Sequence, residues 1–195
     1  THKCLVPIGG RPLLAHVLAA LAEVEGIGRI RIAVEPGAEP LLRPLTEASG
    51  LPVEFVAAAD NLADSVYAAA AGSDAPVIVT TADNVLLTAE AVRRVAERLR
   101  AGDDGVAVLA SREAVLAAHP EGQRRFYAFR DGAFSNCNLY GLSRRGLALA
   151  ETFRTGGQFA KNPKRIALAV GLFNLILMRL AVLTLDQAMR RLSRR

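Results

Sequence analysis

The chain has 195 residues, enough for one domain with a full core and short for two. Hydrophobic residues make up 51% and charged ones 22%, with no Trp, so the core has to be built from Ala, Leu, Val and Ile, the usual material of a helix-covered parallel sheet. A formal charge of +5 excludes no anionic partner: phosphate, nucleic acid and anionic lipid all qualify, and charge alone does not choose among them.

In chain order, the residues after Thr1, His2 and Lys3 are apolar but broken by Gly9, Gly10 and Arg11, which does not read as a signal peptide. Leu13, Leu14, Val17, Leu18 and Leu21 have helical spacing behind a first-turn Pro12, with Gly26 beyond. The pattern then predicts a strand over 29–35, a helix over 38–48 ended by Gly50, a short strand over 53–56 and an Ala-rich helix over 62–71. Residues 76–81 form a β-branched run of the kind buried on both faces of a sheet, followed by an amphipathic helix capped by Thr88 and a strand over 105–110. Alternating strands and helices at this spacing imply right-handed crossovers and a parallel sheet covered on both sides.

After Ser111 the pattern changes. Segments 126–130 and 134–142, separated by Asp131-Gly132, read as a hairpin or a pair of sheet-edge strands. Residues 144–195 read as helical, with breaks at Gly156-Gly157 and Pro163. The stretch 166–185 nearly qualifies as a membrane span, but Asn174 and Arg179 interrupt it and Thr184-Leu185-Asp186-Gln187 reads as a capping box that starts a new helix. A soluble helical subdomain is therefore expected over a span. The whole is read as a single domain: an α/β core at 1–143 and a helical C-terminal segment at 144–195. Cys4 and Cys137 show no CxxC or Cys/His spacing, so neither a zinc site nor a disulfide is expected, and a reducing cytoplasm is the default compartment.

Three groups of residues suggest chemistry. Between Lys3 and Leu13 a cation, an extended stretch, the pair Gly9-Gly10, Arg11 and a helix-opening Pro12 combine features that suit a triphosphate, although an ordinary loop with two surface cations fits equally. Asp83 follows a buried strand, and ligands of open α/β sheets sit at the carboxyl ends of strands; a carboxylate there suits Mg²⁺, and turn or capping duty is the competing use. Asn84 is expected as a turn residue. Asn136 and Asn138, in Phe134-Ser135-Asn136-Cys137-Asn138-Leu139-Tyr140, read by themselves as strand-end hydrogen-bonding groups. His16 is expected to be structural.

The run Lys-x-Leu-x-x-x-x-Gly-Arg-Pro-Leu followed by an amphipathic helix resembles the second half of the signature of sugar-phosphate and molybdenum-cofactor nucleotidyltransferases, the NTP transferase superfamily with a glycosyltransferase-A-like fold. The first half, a strand entering a Leu-Ala-Gly-Gly-x-Gly-type loop, would precede Thr1 and is outside the numbered sequence. The resemblance implies a three-layer, mainly parallel Rossmann-like fold, with Lys3 on the phosphates and Asp83 on the metal. A second metal contact would come from Asn136 by spacing, or from Asn138 by the Gly-Gly-Asn-apolar form. It places Asn61, Asp64 and Ser65 where related enzymes read the base, with helix capping by Asn61 as the alternative. Lys161 and Lys164 could hold an acceptor phosphate, surface solvation being the alternative.

The implied reaction is Mg²⁺-dependent transfer of a nucleoside monophosphate from a nucleoside triphosphate to a small phosphorylated acceptor, with no nucleic-acid partner and homodimer formation left open. A nucleotide-sugar glycosyltransferase of the same fold is the first rival, weakened because Asp83-Asn84-Val85 lacks the Asp-x-Asp those enzymes carry. A non-catalytic module docking 166–185 on a membrane or partner is the second.

Overall fold

A computed structural model describes residues 2–122, 126–154 and 183–193. The chain divides into two compact units: Thr1–Val108 with Asn138–Arg154, and Leu109–Cys137 with the described part of Thr155–Arg195. Residues 144–154 thus pack with the first unit, and strand residues 109–111 and 132–137 with the second.

The first unit opens with a 3-10 turn, Lys3–Leu5, and a miniature hairpin of β1 (Pro7–Ile8) and β2 (Arg11–Pro12). Gly9 and Gly10 make its two-residue turn at φ 59° and 78°, values a side chain would resist, so the glycine pair closes a hairpin. Helix α1 (Leu13–Ala22) follows, and His16 Nε2 donates to the Ile8 carbonyl at 3.0 Å, the structural use expected of it. Then come β3 (Ile30–Val34), α2 (Glu39–Ser49), β4 (Val53–Ala57), α3 (Leu62–Ala70), β5 (Val77–Thr80), α4 (Ala89–Arg100) and β6 (Gly105–Ser111). Gly50 terminates α2 in the left-handed conformation, and Thr88 caps α4 by accepting from Ala91 N at 3.2 Å.

Besides the β1–β2 hairpin, the strands of the described residues form two separate hydrogen-bonded ladders. β3 and β4 pair in parallel, with Ile32 opposite Phe55; the other ladder runs β5, β8 (Gly132–Leu142), β6, with β5 antiparallel to β8. Helices unite them. On one face Leu14 and Leu18 of α1 and Leu42 of α2 meet Ile32, Val34, Val53 and Phe55, while Val17 joins Val92, Val95 and Leu99 of α4 over Ile78 and Leu139. On the other face Ala63 and Val66 of α3 pack with Val77, Val79 and Leu142, alongside a second 3-10 helix, Gly146–Phe153. Period-two alternation along β5 sends Ile78 to one helix layer and Val77 and Val79 to the other. This is the three-layer α/β arrangement expected. The β-branched run is half-buried along β5, however, where complete burial was expected.

In the second unit α5 (Arg112–Ala118), capped by Ser111, fills a stretch for which the sequence offered no strong periodicity. β7 (Tyr127–Phe129) pairs antiparallel with β8 through Phe129 opposite Gly132, which makes Arg130-Asp131 the hairpin loop. The expected capping box starts helix α6 (Leu185–Ser193): Thr184 Oγ1 accepts from Gln187 N at 3.2 Å, and Gln187 Oε1 accepts from Thr184 N at 3.1 Å. Most of the 166–185 stretch, with Lys161 and Lys164, lies outside the described residues. Among those described, no helix is long and apolar enough to cross a membrane.

Candidate functional site at the carboxyl end of strand β5

β5 ends at Thr80, and the chain leaves it through tight turns: Asn84 N donates to Thr81 O at 3.1 Å and Leu87 N to Asn84 O at 3.0 Å. Asp83 stands at the tip of this turn, and Asn84 is the turn residue expected. The Asp83 carboxylate receives the Lys3 ammonium in an ion pair and a hydrogen bond from the Thr81 hydroxyl. Lys3 first and Thr81 second hold its ionisation below the usual carboxylate range, although partial burial opposes them.

The local sequence explains how residues so distant in the chain converge. Cys4 and Leu5 pack on Leu14 and Leu18 of α1, and Ala82 joins the same cluster, so the 3-10 turn is pinned beside the β5 turn. Lys3 is left outside. Its side chain is 80% exposed against 24% for Asp83, so the pair joins a mobile cation to a fixed anion. His2 makes a parallel contact, its Nδ1 lying 2.7 Å from Glu35 Oε1 just beyond β3. Residues 2 and 3 therefore each bring a basic side chain to the carboxyl end of a different strand.

Asn138 lies next to this turn. It precedes Leu139, which pairs with Thr80, and its carbonyl accepts from the Thr80 hydroxyl at 2.9 Å. At φ 51° it is the one non-glycine residue with positive φ among those described, and it is exposed where β8 is otherwise mostly covered. Asn136 belongs to the second unit.

The opening of α3 is organised differently. Asn61 Oδ1 accepts from Asp64 N at 3.0 Å, the capping alternative foreseen for it, and Asn61 Nδ2 donates to Asp64 Oδ2 at 2.7 Å. Ser65 Oγ accepts from Ala59 N and donates to Asn61 O, each at 3.0 Å. Arg154 grips Asp64 at 2.9 Å and Glu151 at 2.6 Å, and Glu151 also takes the Tyr67 hydroxyl. Arg154 first and Asn61 second depress the Asp64 ionisation. Arg11, the other candidate phosphate cation, is exposed and donates to Ala15 O at 3.1 Å.

The sequence reading did not single out Thr81, Arg154, His2 or Glu35. A hydroxyl pair ending a strand was the available signal for Thr81. Arg154 meets Asp64 across 90 residues, and no local pattern announces that contact. Among the described residues no group of three or more His, Cys, Asp or Glu side chains could hold a metal ion, so a cation at Asp83 would complete its shell with ligands brought by a substrate.

The profile of the MobA-like NTP transferase domain matches residues 1–192. Two bifunctional GlmU proteins are similar: that of Rhizorhabdus wittichii is 35% identical over 150 residues, covering 71% of this chain and 30% of the relative, and that of Rhodospirillum rubrum is 31% identical over 157 residues, covering 74% and 34%. The chain thus spans about a third of the length of these curated relatives. Among solved structures, a hypothetical transferase from Thermus thermophilus superposes with a TM-score of 0.74 at 29% identity, covering 98% of this chain and 78% of its own. The fold is shared with a 4-diphosphocytidyl-2C-methyl-D-erythritol synthase from Anaerococcus prevotii, at TM-score 0.58, 13% identity and coverage of 74% and 66%. It is shared too with a CMP:2-keto-3-deoxy-manno-octonic acid synthetase solved with CTP, at TM-score 0.58, 16% identity and coverage of 92% and 80%. Sequence, fold and the polar end of β5 agree: the chain belongs to the MobA-like NTP transferase domain family.

Proposed function

We propose that this protein is a Mg²⁺-dependent nucleotidyltransferase that moves a nucleoside monophosphate from a nucleoside triphosphate onto a small phosphorylated acceptor. The observation that carries the reading is the meeting of Lys3 and Asp83 at the carboxyl end of β5. A phosphate oxygen of the acceptor attacks the α-phosphorus, the bond to the β-phosphate oxygen breaks, and pyrophosphate leaves with the electron pair. No protein nucleophile is required, because such transfers are catalysed mainly by positioning and by neutralising charge.

In this scheme Asp83 and the Asn138 amide offer hard oxygen donors that fit Mg²⁺, which takes one or two carboxylates and fills its other positions with phosphate and water. Bound there, the cation would offset charge on the phosphate oxygens. Lys3 swings from Asp83 to the phosphates, a move its exposure allows. Asn61, Asp64 and Ser65 frame the base side of the site, Arg11 adds positive charge nearby, and Lys161 is assigned to the acceptor phosphate.

The test is pyrophosphate release with each of the four common triphosphates, Mg²⁺ and a panel of sugar phosphates, polyol phosphates, phospholactate and molybdopterin. Turnover with one pair, together with a thermal shift from Mg²⁺ and that triphosphate, is expected. A larger shift from a nucleoside diphosphate plus Mn²⁺ than from any triphosphate plus Mg²⁺ would replace this reading with a glycosyltransferase.

A further inference from the structure

The two turns that flank the proposed site are tied together by one hydroxyl. Thr80 Oγ1 accepts from Asn84 Nδ2 at 3.0 Å and donates to the backbone carbonyl of Asn138 at 2.9 Å. The directions are fixed, since an amide nitrogen can only donate, a carbonyl can only accept, and the hydroxyl has one proton to give. Asn84 is the residue after Asp83. Asn138 holds a left-handed backbone at φ 51°, a conformation asparagine adopts more readily than most side-chain-bearing residues.

Strand formation does not account for the hydroxyl. Valine has the same shape and β-propensity, and β5 already contains Val77 and Val79. What the hydroxyl adds is a fixed distance between the turn bearing Asp83 and the kink bearing Asn138. We propose that Thr80 is a positioning residue of the nucleotide site: its hydroxyl, bracketed by Asn84 and the Asn138 carbonyl, sets the separation of the two side chains that converge on the substrate. The inference rests on the nucleotidyltransferase reading for its functional consequence, while the bracket itself is a property of the fold.

The test compares Thr80→Val with Thr80→Ser in the pyrophosphate-release assay, with Asn84→Ala removing the same bracket from its other end. Thr80→Val is expected to lower kcat by about tenfold to a hundredfold, as small misplacements do. KM for the triphosphate should stay within about threefold, because ground-state binding is not what is lost. Thr80→Ser should recover most of kcat, and Asn84→Ala should fall between. Amide hydrogen exchange supplies a readout independent of turnover: residues 83–87 and 138 should exchange faster in Thr80→Val than in wild type or Thr80→Ser, with β4 unchanged. A Thr80→Val protein that keeps wild-type kcat overturns the inference, as does unaltered exchange at those residues. A wild-type protein without transferase activity would instead end the functional reading, and the exchange data alone would then uphold or overturn the bracket.

Discussion

The turn after β5 and the turn that opens α3 each present an aspartate, and the difference between them lies in how many groups hold each carboxylate and how exposed its cation is. Asp64 is 41% exposed yet has several partners: Asn61 caps the helix and holds its carboxylate, and Arg154 lays Nη1 and Nη2 on it while Nε and Nη2 engage Glu151. Asp83 has one hydroxyl from its own turn and one ammonium on a chain that is 80% exposed. A planar guanidinium held by two carboxylates has little reason to leave, whereas an exposed lysine exchanges partners at small cost. Both acids have depressed ionisation, but the cation on Asp83 is 80% exposed and that on Asp64 42%.

Exchanging the two acids for amides tests this contrast most strongly. Asp83→Asn should reduce kcat by about a hundredfold to a thousandfold, the scale of losing one preorganised charge contact, with little change in Tm. Asp64→Asn should leave kcat within about threefold and register in Tm, and in KM for the triphosphate if Asp64 frames the base as proposed. Next in size is Asn138→Gly. Glycine accepts the φ of 51° without strain, so the fold should hold or gain slightly while kcat falls at least about tenfold if the amide serves the substrate. A Gly variant with unimpaired turnover would reduce Asn138 to a backbone role.

Arg154→Met sharpens the other side of the comparison. It frees the link between α3 and the 3-10 helix Gly146–Phe153 and should lower Tm by roughly 2–4 °C without altering kcat of the folded fraction. A collapse of activity at unchanged Tm would place Arg154 in the site. The smallest effect concerns pH. Because the folded-state pKa of Asp83 lies below its unfolded value, the Lys3 contact adds stability above the unfolded value, and that stability disappears as pH falls through the folded one. Lys3→Met should move the Asp83 titration upward, seen by carboxyl carbon NMR, and flatten the acid limb of Tm against pH. An unmoved titration would mean that Thr81 alone sets it.

Much of this was legible in the amino-acid order. The spacing of Leu13, Leu14, Val17 and Leu18, the stop at Gly50, the Thr88 cap and the Thr184 capping box are local signals, and each element starts or ends at the residue that carries one. Lys3 was singled out by family resemblance and Asp83 by its place at a strand end, while their direct ion pair is a tertiary contact. The hairpin at Gly9-Gly10 was missed because two-residue strands carry no periodicity, and its glycines were read as room for a ligand. α5 is seven residues with no buried position, so burial left no stripe to find. The Arg154 grip on Asp64 and the left-handed Asn138 arise from tertiary placement, which local propensity does not encode.

Helix α1 touches both ladders, Leu14 and Leu18 packing on Ile32, Val34, Val53 and Phe55 of β3 and β4, and Val17 joining the cluster that contains Ile78 of β5 and Leu139 of β8. Truncating Leu18, which is 2% exposed, to Ala would open a cavity beneath α1 and cost about 2–5 kcal/mol, felt first on the ladder of β3 and β4 that Leu18 touches.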